Sequence, residues 1–203
     1  MKSRLVVAGI GLLCLCAPAL GSDDPTPSTC KVGHIAICPA GDMRVGVLVR
    51  KGGQAMGGAL VTIDLSGCSA LKLGVPLPGE EQTLMEGVRV MKRTADNGRA
   101  LLSIRGGGAG VCSRVTVLAE GVLIAERTAV ASPDQNGDLV VDQSDLDALK
   151  VKVGTKDETG DMDGDGRVTP ADLLLARLHL GHHADLVTET KTRTWGEIKG
   201  GYR

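Results

Sequence analysis

The sequence predicts an all-β sandwich followed by a small α-helical module with two acidic loops. Apolar residues alternate with a period of two between residues 30 and 131, and glycine-rich turns separate these runs. After Pro133 two acidic segments align with each other, and an apolar pattern of helical period follows each of them. The chain has 203 residues, enough for two small domains. We therefore expect one domain at 30–131 and a second at 132–183.

The N-terminus has the pattern of a secretory signal peptide over residues 1–21. Lys2 and Arg4 precede a short apolar run, and Ala19 and Gly21 supply the small residues that cleavage requires. A membrane anchor is disfavoured because the run is shorter than the roughly 20 residues that span a bilayer. Residues 22–29 are polar and contain proline, which predicts a flexible leader. We expect the mature protein to be secreted or held at the cell surface, with no membrane span.

The cysteines predict disulfide bonds. Cys14 and Cys16 would leave with the signal peptide, and an even number remains, which in an exported chain indicates disulfides. Three pairings are open, of which we favour a local Cys30–Cys38 bond together with Cys68–Cys112. A zinc site built from these cysteines is disfavoured, because no CxxC pair occurs and the spacings are irregular.

The first domain is predicted to be built from short strands. The turn signals between them include Lys51-Gly52-Gly53, Asp96-Asn97-Gly98 and Gly106-Gly107-Gly108. The strand candidates are 45–49, 60–65, 88–91, 100–104, 115–118 and 122–125. Segments 56–61 and 94–100 resemble transthyretin-like or bacterial Ig-like domains. This resemblance implies an Ig-like sandwich and says more about fold than about function.

Two helices are predicted in the second domain. Leu146, Leu149 and Val153 share one helical face, and Gly154 ends that helix. A second apolar helical pattern covers 173–178 and is closed by Gly181. The polar tail at 184–203 contains Trp195 and Tyr202, to which the sequence assigns no role. His182 and His183, which follow the second helix, are expected to be solvated.

Charge is unevenly distributed along a chain whose net charge is −1. Residues 31–131 hold 12 Lys and Arg against 8 Asp and Glu, whereas residues 134–172 hold 4 against 11. The acidic segment suits a hard cation and disfavours nucleic acid as a partner. With no Phe, one Trp and one Tyr, the chain also has few side chains on which bases or sugars could stack.

The acidic segments 134–146 and 161–173 form an internal repeat with a spacing of 27 residues. Each has oxygen-bearing side chains at positions 1, 3 and 5, an apolar residue at position 8 and Asp at position 12. Ca²⁺ takes six to eight oxygen ligands, which one curled loop with alternating inward side chains can supply. Two such strings in register favour calcium sites over ordinary acidic surface loops. Mg²⁺ is disfavoured because it takes fewer protein ligands.

The repeat predicts twelve ligand residues for two Ca²⁺ ions, with position 7 giving its carbonyl and position 9 a side chain or a bridging water. In the first loop they are Asp134, Asn136, Asp138, Val140, Asp142 and Asp145, and in the second loop Asp161, Asp163, Asp165, Arg167, Thr169 and Asp172. We expect Val141 and Val168, at position 8, to pair with each other. Position 6 is Gly166 in the second loop but Leu139 in the first. A side chain opposes positive φ, so we expect the first site to be weaker or differently curled.

This pair of loops resembles a type I dockerin, in which Asp likewise stands at position 12, here Asp145 and Asp172. The resemblance implies two loop–helix units related by a pseudo-twofold axis and a cohesin-like protein as partner. The positions that would meet such a partner are 143–144 and 170–171. The function expected from it is that of a secreted, non-catalytic calcium-binding protein whose dockerin-like module mediates attachment or assembly.

Two other functions stay open. The chain could be an accessory subunit or a small hydrolase of extracellular polysaccharide degradation, or a structural cell-surface protein that uses calcium only for stability. Catalysis is not expected, because the sequence has no GxSxG nucleophile motif and no acid–base carboxylate pair outside the acidic loops.

Overall fold

The computed structural model describes residues 30–75, 83–85 and 88–185. The predicted signal peptide and leader, and the tail from residue 186 with Trp195 and Tyr202, lie outside the described residues. In the described part of the chain no helix is both long and apolar enough to cross a bilayer.

Twelve strands and two helices occur in the described residues. The strands are β1 (Lys31–Val32), β2 (Arg44–Leu48), β3 (Arg50–Lys51), β4 (Gln54–Ala55), β5 (Leu60–Asp64), β6 (Lys72–Leu73), β7 (Thr83–Met85), β8 (Arg89–Arg93), β9 (Arg99–Ser103), β10 (Gly106–Gly107), β11 (Gly110–Ala119) and β12 (Val122–Val130). The helices are α1 (Gln143–Lys152) and α2 (Pro170–Leu178).

The strands pair antiparallel in separate sheets. The largest has the order β12-β11-β5-β8-β7, and a second has the order β1-β2-β9. Strands β10 and β6 form a third sheet, and β3 and β4 form a short hairpin. Alternating residues face the core as the period of two predicts: Val45 and Val47 of β2 and Val61 and Ile63 of β5 are all buried.

The predicted fold class, an Ig-like sandwich followed by a dockerin-like helical module, is wrong. The described strands fall into small sheets of five, three, two and two strands, and α1 and α2 have only 10 and 9 residues. The structure therefore shows a β-rich fold with two short helices. Period-two alternation identifies residues that lie in strands, but it does not specify which strands pair, so it could not reveal this division among sheets.

The glycine run at 106–108 is one place where the predicted turn is wrong. We expected a turn, but Gly106 and Gly107 form β10 and pair with Leu73 and Lys72 of β6. A Cβ at Gly106 would lie 2.7 Å from the Lys72 carbonyl oxygen, so only glycine allows the backbones to approach this closely.

One predicted disulfide is present and the other is not. Cys68 and Cys112 are bonded, with their Cα atoms 4.4 Å apart. Cys30 and Cys38 are both free, so the expected local bond between them is wrong. Cys30 Sγ lies 3.9 Å from the Arg50 carbonyl, whereas Cys38 is buried in a turn that packs against residues after α2.

Helices α1 and α2 share a core with residues 30–131, which contain all the described strands and are called the strand-forming region below. Leu146 and Leu149 of α1 and Ala176 of α2 pack in one cluster with Ala36 and Ala131. Ile37 N donates to the Ala131 carbonyl at 2.9 Å, which places the entry to the acidic region beside residue 36. The two acidic loops are therefore held against the strands as well as against their own helices.

Candidate metal sites

The first position of each acidic loop organises the loop backbone in the same way. Asp134 accepts hydrogen bonds from Gly137 N at 2.7 Å and from Leu139 N at 2.8 Å. Asp161 accepts from Gly164 N and Gly166 N, both at 2.8 Å. These donors are again 27 residues apart, so the sequence repeat is also a repeat of backbone conformation.

Position 12 closes each loop onto the helix that follows. Asp145 accepts from Gln135 N at 2.8 Å and from Asp142 N at 2.9 Å. Asp172 accepts from Met162 N and Thr169 N, both at 2.7 Å. Both carboxylates are fully buried and complete the capping boxes of α1 and α2. Each carboxylate therefore joins its own loop to the N-terminus of the helix that follows. This role was not part of the prediction that Asp145 and Asp172 are metal ligands.

Three carboxylates converge in the second loop. Oxygens of Asp161, Asp163 and Asp165 lie within 4.8 Å of one another. Burial and the neighbouring charges of Asp172, Asp165 and Asp161 raise the pKa of Asp163 above its ordinary value, although a hydrogen bond from Asp165 N opposes them. Such repulsion is what a bound cation would relieve.

The other three predicted ligands of this loop, Arg167, Thr169 and Asp172, have local contacts. Arg167 N donates to Asp165 at 2.9 Å. The Thr169 hydroxyl accepts from Ala171 N at 3.1 Å as the N-cap of α2. Asp172 lies outside the cluster of three carboxylates, since its oxygens are engaged by loop and helix N–H groups.

The first loop brings fewer charges together. Asn136 Nδ2 donates to Asp138 at 3.0 Å, and Val140 N donates to the same carboxylate at 2.9 Å. Asp142 is the N-cap of α1, where hydrogen bonds from Ser144 lower its pKa. Burial, followed by the charges of Asp145 and Asp138, raises the pKa of Asp134 despite hydrogen bonds from Gly137 and Leu139.

Position 6 has a positive φ in both loops. Leu139 has φ +70° and Gly166 has φ +92°, so of the two expected outcomes, a weaker site or a differently curled loop, the different curl is not found at this position. Leu139 is only 2 % exposed, and burying a leucine side chain stabilises by roughly 1.5–3 kcal/mol. This gain outweighs the cost of about 1–2 kcal/mol for a left-handed residue with a Cβ.

The expected pairing of Val141 with Val168 is also wrong. Val168 exchanges hydrogen bonds with the residues after α1: Gly154 N donates to its carbonyl at 2.7 Å, and its N–H donates to Thr155 at 3.0 Å. Val141 does the same with the residues after α2, Gly181 and His182, both at 2.8 Å. Each loop is thus tied to the end of the other loop's helix. A spacing of 27 also relates these partners, so the exchange has pseudo-twofold symmetry.

A second group of potential metal ligands lies outside the acidic loops and was missed by the sequence analysis. Cys38, Asp42, His179 and His182 bring their ligand atoms within 4.8 Å of one another. His182 was expected to be solvated, but its side chain is only 32 % exposed. The available signal was the spacing His179-x-x-His182 at the end of a helix, which the adjacent pair His182-His183 obscured.

The electrostatics of this group reflect its burial. Burial raises the pKa of the Cys38 thiol well above its usual range, and the nearby Asp42 adds to the increase. Desolvation would raise the pKa of Asp42 too, but the hydrogen bond with Cys38 and the proximity of His179 and His182 lower it.

Comparisons with known proteins return no relative of this chain. No protein-family model matches it, and neither a curated protein nor a solved structure matches it. These comparisons therefore neither support nor contradict the likeness of the acidic loops to dockerins, which stays a prediction from the sequence.

Proposed function

We propose that the protein binds Ca²⁺ in the loops at 161–172 and 134–145. The observation that carries this proposal is the convergence of Asp161, Asp163 and Asp165 within 4.8 Å, in a loop whose hydrogen-bond pattern recurs 27 residues earlier. Three carboxylates on one short loop form an oxygen-only, negatively charged donor set. Hard divalent cations prefer such donors, and Ca²⁺ tolerates the irregular geometry of a flexible loop better than Mg²⁺ does.

Calcium would act mainly by stabilising the fold. In the second loop, a cation would neutralise carboxylates that otherwise repel one another next to the N-terminus of α2. Because Val168 pairs with Gly154 and Thr155, order in this loop also supports the end of α1. A ligand that binds only the folded state adds its binding free energy to stability, so binding at one loop would stabilise both helices.

The first loop is the weaker of the two proposed sites. It has Asn136 where the second loop has Asp163, and the Asn136 amide already donates to Asp138. Positions 1, 3 and 5 of the first loop therefore have one carboxylate fewer than those of the second, and its further carboxylate, Asp142, is engaged as the N-cap of α1. Fewer converging carboxylates reduce the attraction for a divalent cation. We therefore expect sequential binding, with the second loop filling first.

A calcium titration of the chelator-treated chain tests the proposal. Isothermal titration calorimetry should find two Ca²⁺ ions per chain with different affinities, and Ca²⁺ should raise the melting temperature more than equimolar Mg²⁺ does. An unchanged melting temperature together with no heat of binding would refute it.

Attachment to a protein partner is the second part of the proposal. Leu174 and Leu178 of α2 are 61 % and 68 % exposed and lie on the helix that begins at Pro170 and Ala171. Exposed leucines on one helix suit a protein contact. A panel of immobilised cohesin domains, probed with and without Ca²⁺, tests this part. Retention that requires calcium would support it, and no retention by any member would count against it.

A further inference from the structure

We propose that Cys38, Asp42, His179 and His182 form a structural zinc site that joins the strand-forming region to the end of α2. The four side chains come from two segments about 140 residues apart in sequence, and none of them belongs to the acidic loops. This site shares no ligand with the proposed calcium sites.

Two local turns bring the ligands to the same place. On one side, Gly41 N donates to the Cys38 carbonyl at 2.8 Å, and this turn precedes Asp42. On the other side, His179 N donates to the Ala176 carbonyl and His182 N to the His179 carbonyl, both at 3.0 Å. These two successive turns after α2 place both imidazole rings on one side of the chain, with centroids 5.1 Å apart.

The distances between ligand atoms fit a tetrahedral zinc ion. With Zn–N of about 2.0–2.1 Å and Zn–S of about 2.3 Å, tetrahedral angles place two nitrogens about 3.3 Å apart and a sulfur about 3.6 Å from a nitrogen. The His179 and His182 Nδ1 atoms are 3.3 Å apart. Cys38 Sγ lies 3.6 Å from the first and 3.7 Å from the second.

The Asp42 carboxylate supplies the fourth ligand atom, at similar distances from the two imidazole nitrogens. Asp42 Oδ2 lies 3.1 Å from His179 Nδ1 and 3.5 Å from His182 Nδ1. One thiolate, one carboxylate and two neutral imidazoles carry two negative charges, which balance Zn²⁺. A sulfur ligand beside two imidazoles favours zinc over the hard cations Ca²⁺ and Mg²⁺. Four protein ligands leave no open position, which is typical of structural rather than catalytic zinc.

The surrounding contacts hold the two ligand segments together. Arg105 of the strand-forming region donates from Nε to the Pro39 carbonyl at 2.9 Å and from Nη2 to the His183 carbonyl at 3.2 Å. Val141 N donates to the His182 carbonyl at 2.8 Å. The backbone at and next to the ligand residues is thus held in place by groups that would not contact the ion, and such outer contacts orient the ligands of metal sites.

Cobalt substitution tests the site on the full chain. Co²⁺ added to the chelator-treated, Ca²⁺-saturated protein should give tetrahedral d–d bands and a thiolate-to-cobalt charge-transfer band, saturating at one equivalent. Cys38→Ser should abolish the charge-transfer band, and His179→Gln should abolish the tetrahedral spectrum. The matched controls Cys30→Ser and His183→Gln should leave both unchanged, since these side chains lie outside the cluster.

A second measurement needs no variant. Cys38 is buried, so iodoacetamide reaches it only when the site opens transiently. Over a long time course, read on individual cysteine peptides by mass spectrometry, added Zn²⁺ should slow the labelling of Cys38 at least about tenfold and leave that of Cys30 unaffected. Repeating it with Asp163→Asn/Asp165→Asn should give the same protection, which separates this site from the calcium loops. A spectrum that does not depend on Cys38, or labelling of Cys38 that Zn²⁺ does not change, would show a metal-free hydrogen-bond network and overturn the proposal.

Discussion

Asp134, the first residue of the first acidic loop, lies directly against Gly107 of β10. A Cβ at Gly107 would collide with the Asp134 carboxylate, and Gly108 N donates to the Asp134 carbonyl at 2.9 Å. Gly107 therefore pairs with Lys72 of β6 and also contacts the first loop. This contact makes the geometry of the first loop depend on a strand.

Gly107→Ala should accordingly destabilise the protein and weaken calcium binding in the first loop. Inserting a methyl group into a packed site typically costs about 1–3 kcal/mol. Chemical denaturation and calcium calorimetry measure both effects. Gly46→Ala in β2 is the control, because a Cβ there would meet only Leu101 Cδ2 at an ordinary 3.6 Å. Equal stability of the two variants would contradict the packing argument.

Asp163→Asn combined with Asp165→Asn should remove the tighter calcium site and leave the weaker one. In the absence of metal the double variant should be at least as stable as the wild type, because the substitutions are nearly isosteric and relieve the repulsion that raises the pKa of Asp163. Calorimetry and thermal unfolding with and without chelator test this. Asp147→Asn, on the exposed face of α1, should change neither quantity.

Substitutions at Leu139 should separate backbone strain from burial. Leu139→Gly should lose the buried side chain but relieve the positive φ, for a net cost of about 1 kcal/mol. Leu139→Ala loses nearly as much burial and keeps the strain, so we expect it to be less stable than Leu139→Gly by about 1 kcal/mol. Urea denaturation of both variants gives the order. The reverse order would mean that position 139 relaxes away from the left-handed conformation.

Asp64 and Arg89 should make a pH-dependent contribution to stability. Arg89 Nε donates to Asp64 Oδ2 at 2.8 Å, across the β5–β8 pair. Burial opposes ionisation of Asp64, but hydrogen bonds from Ser66 and Arg89 outweigh it and lower the pKa of Asp64 in the folded protein. The contribution is therefore complete above the unfolded value of about 3.9 and disappears as the pH falls through the lower folded value.

Asp64→Asn should thus cost about 0.5 kcal/mol at pH 7, since the pair is partly exposed, and nothing below the folded pKa. Urea unfolding at pH 7 and at the lowest pH where the protein stays folded measures the difference. A cost that is the same at both pH values would show that the carboxylate charge is not what stabilises the pair.

The sequence determined the local features of this protein, because they depend on residues close together in the chain. Period-two alternation located β2, β5, β8 and β9, and helical periodicity located α1 and α2. The 27-residue repeat identified two loops whose first residues, Asp134 and Asp161, organise their backbones alike. The Cys68–Cys112 bond was also among the expected pairings.

Only the tertiary structure decided which distant groups meet. It set how the described strands divide among four sheets. It also set the hydrogen bonds of Val141 with the residues after α2 and of Val168 with the residues after α1, and the contact of Cys38 with His179. All of these join segments that are separate in sequence. Such contacts depend on which buried faces and backbone groups the whole chain can satisfy at once. No short window of sequence contains that information. The acidic loops each lie within one short segment and could be predicted, whereas the sequence offered only the His179-x-x-His182 half of the second ligand group and gave no sign that Cys38 and Asp42 join it.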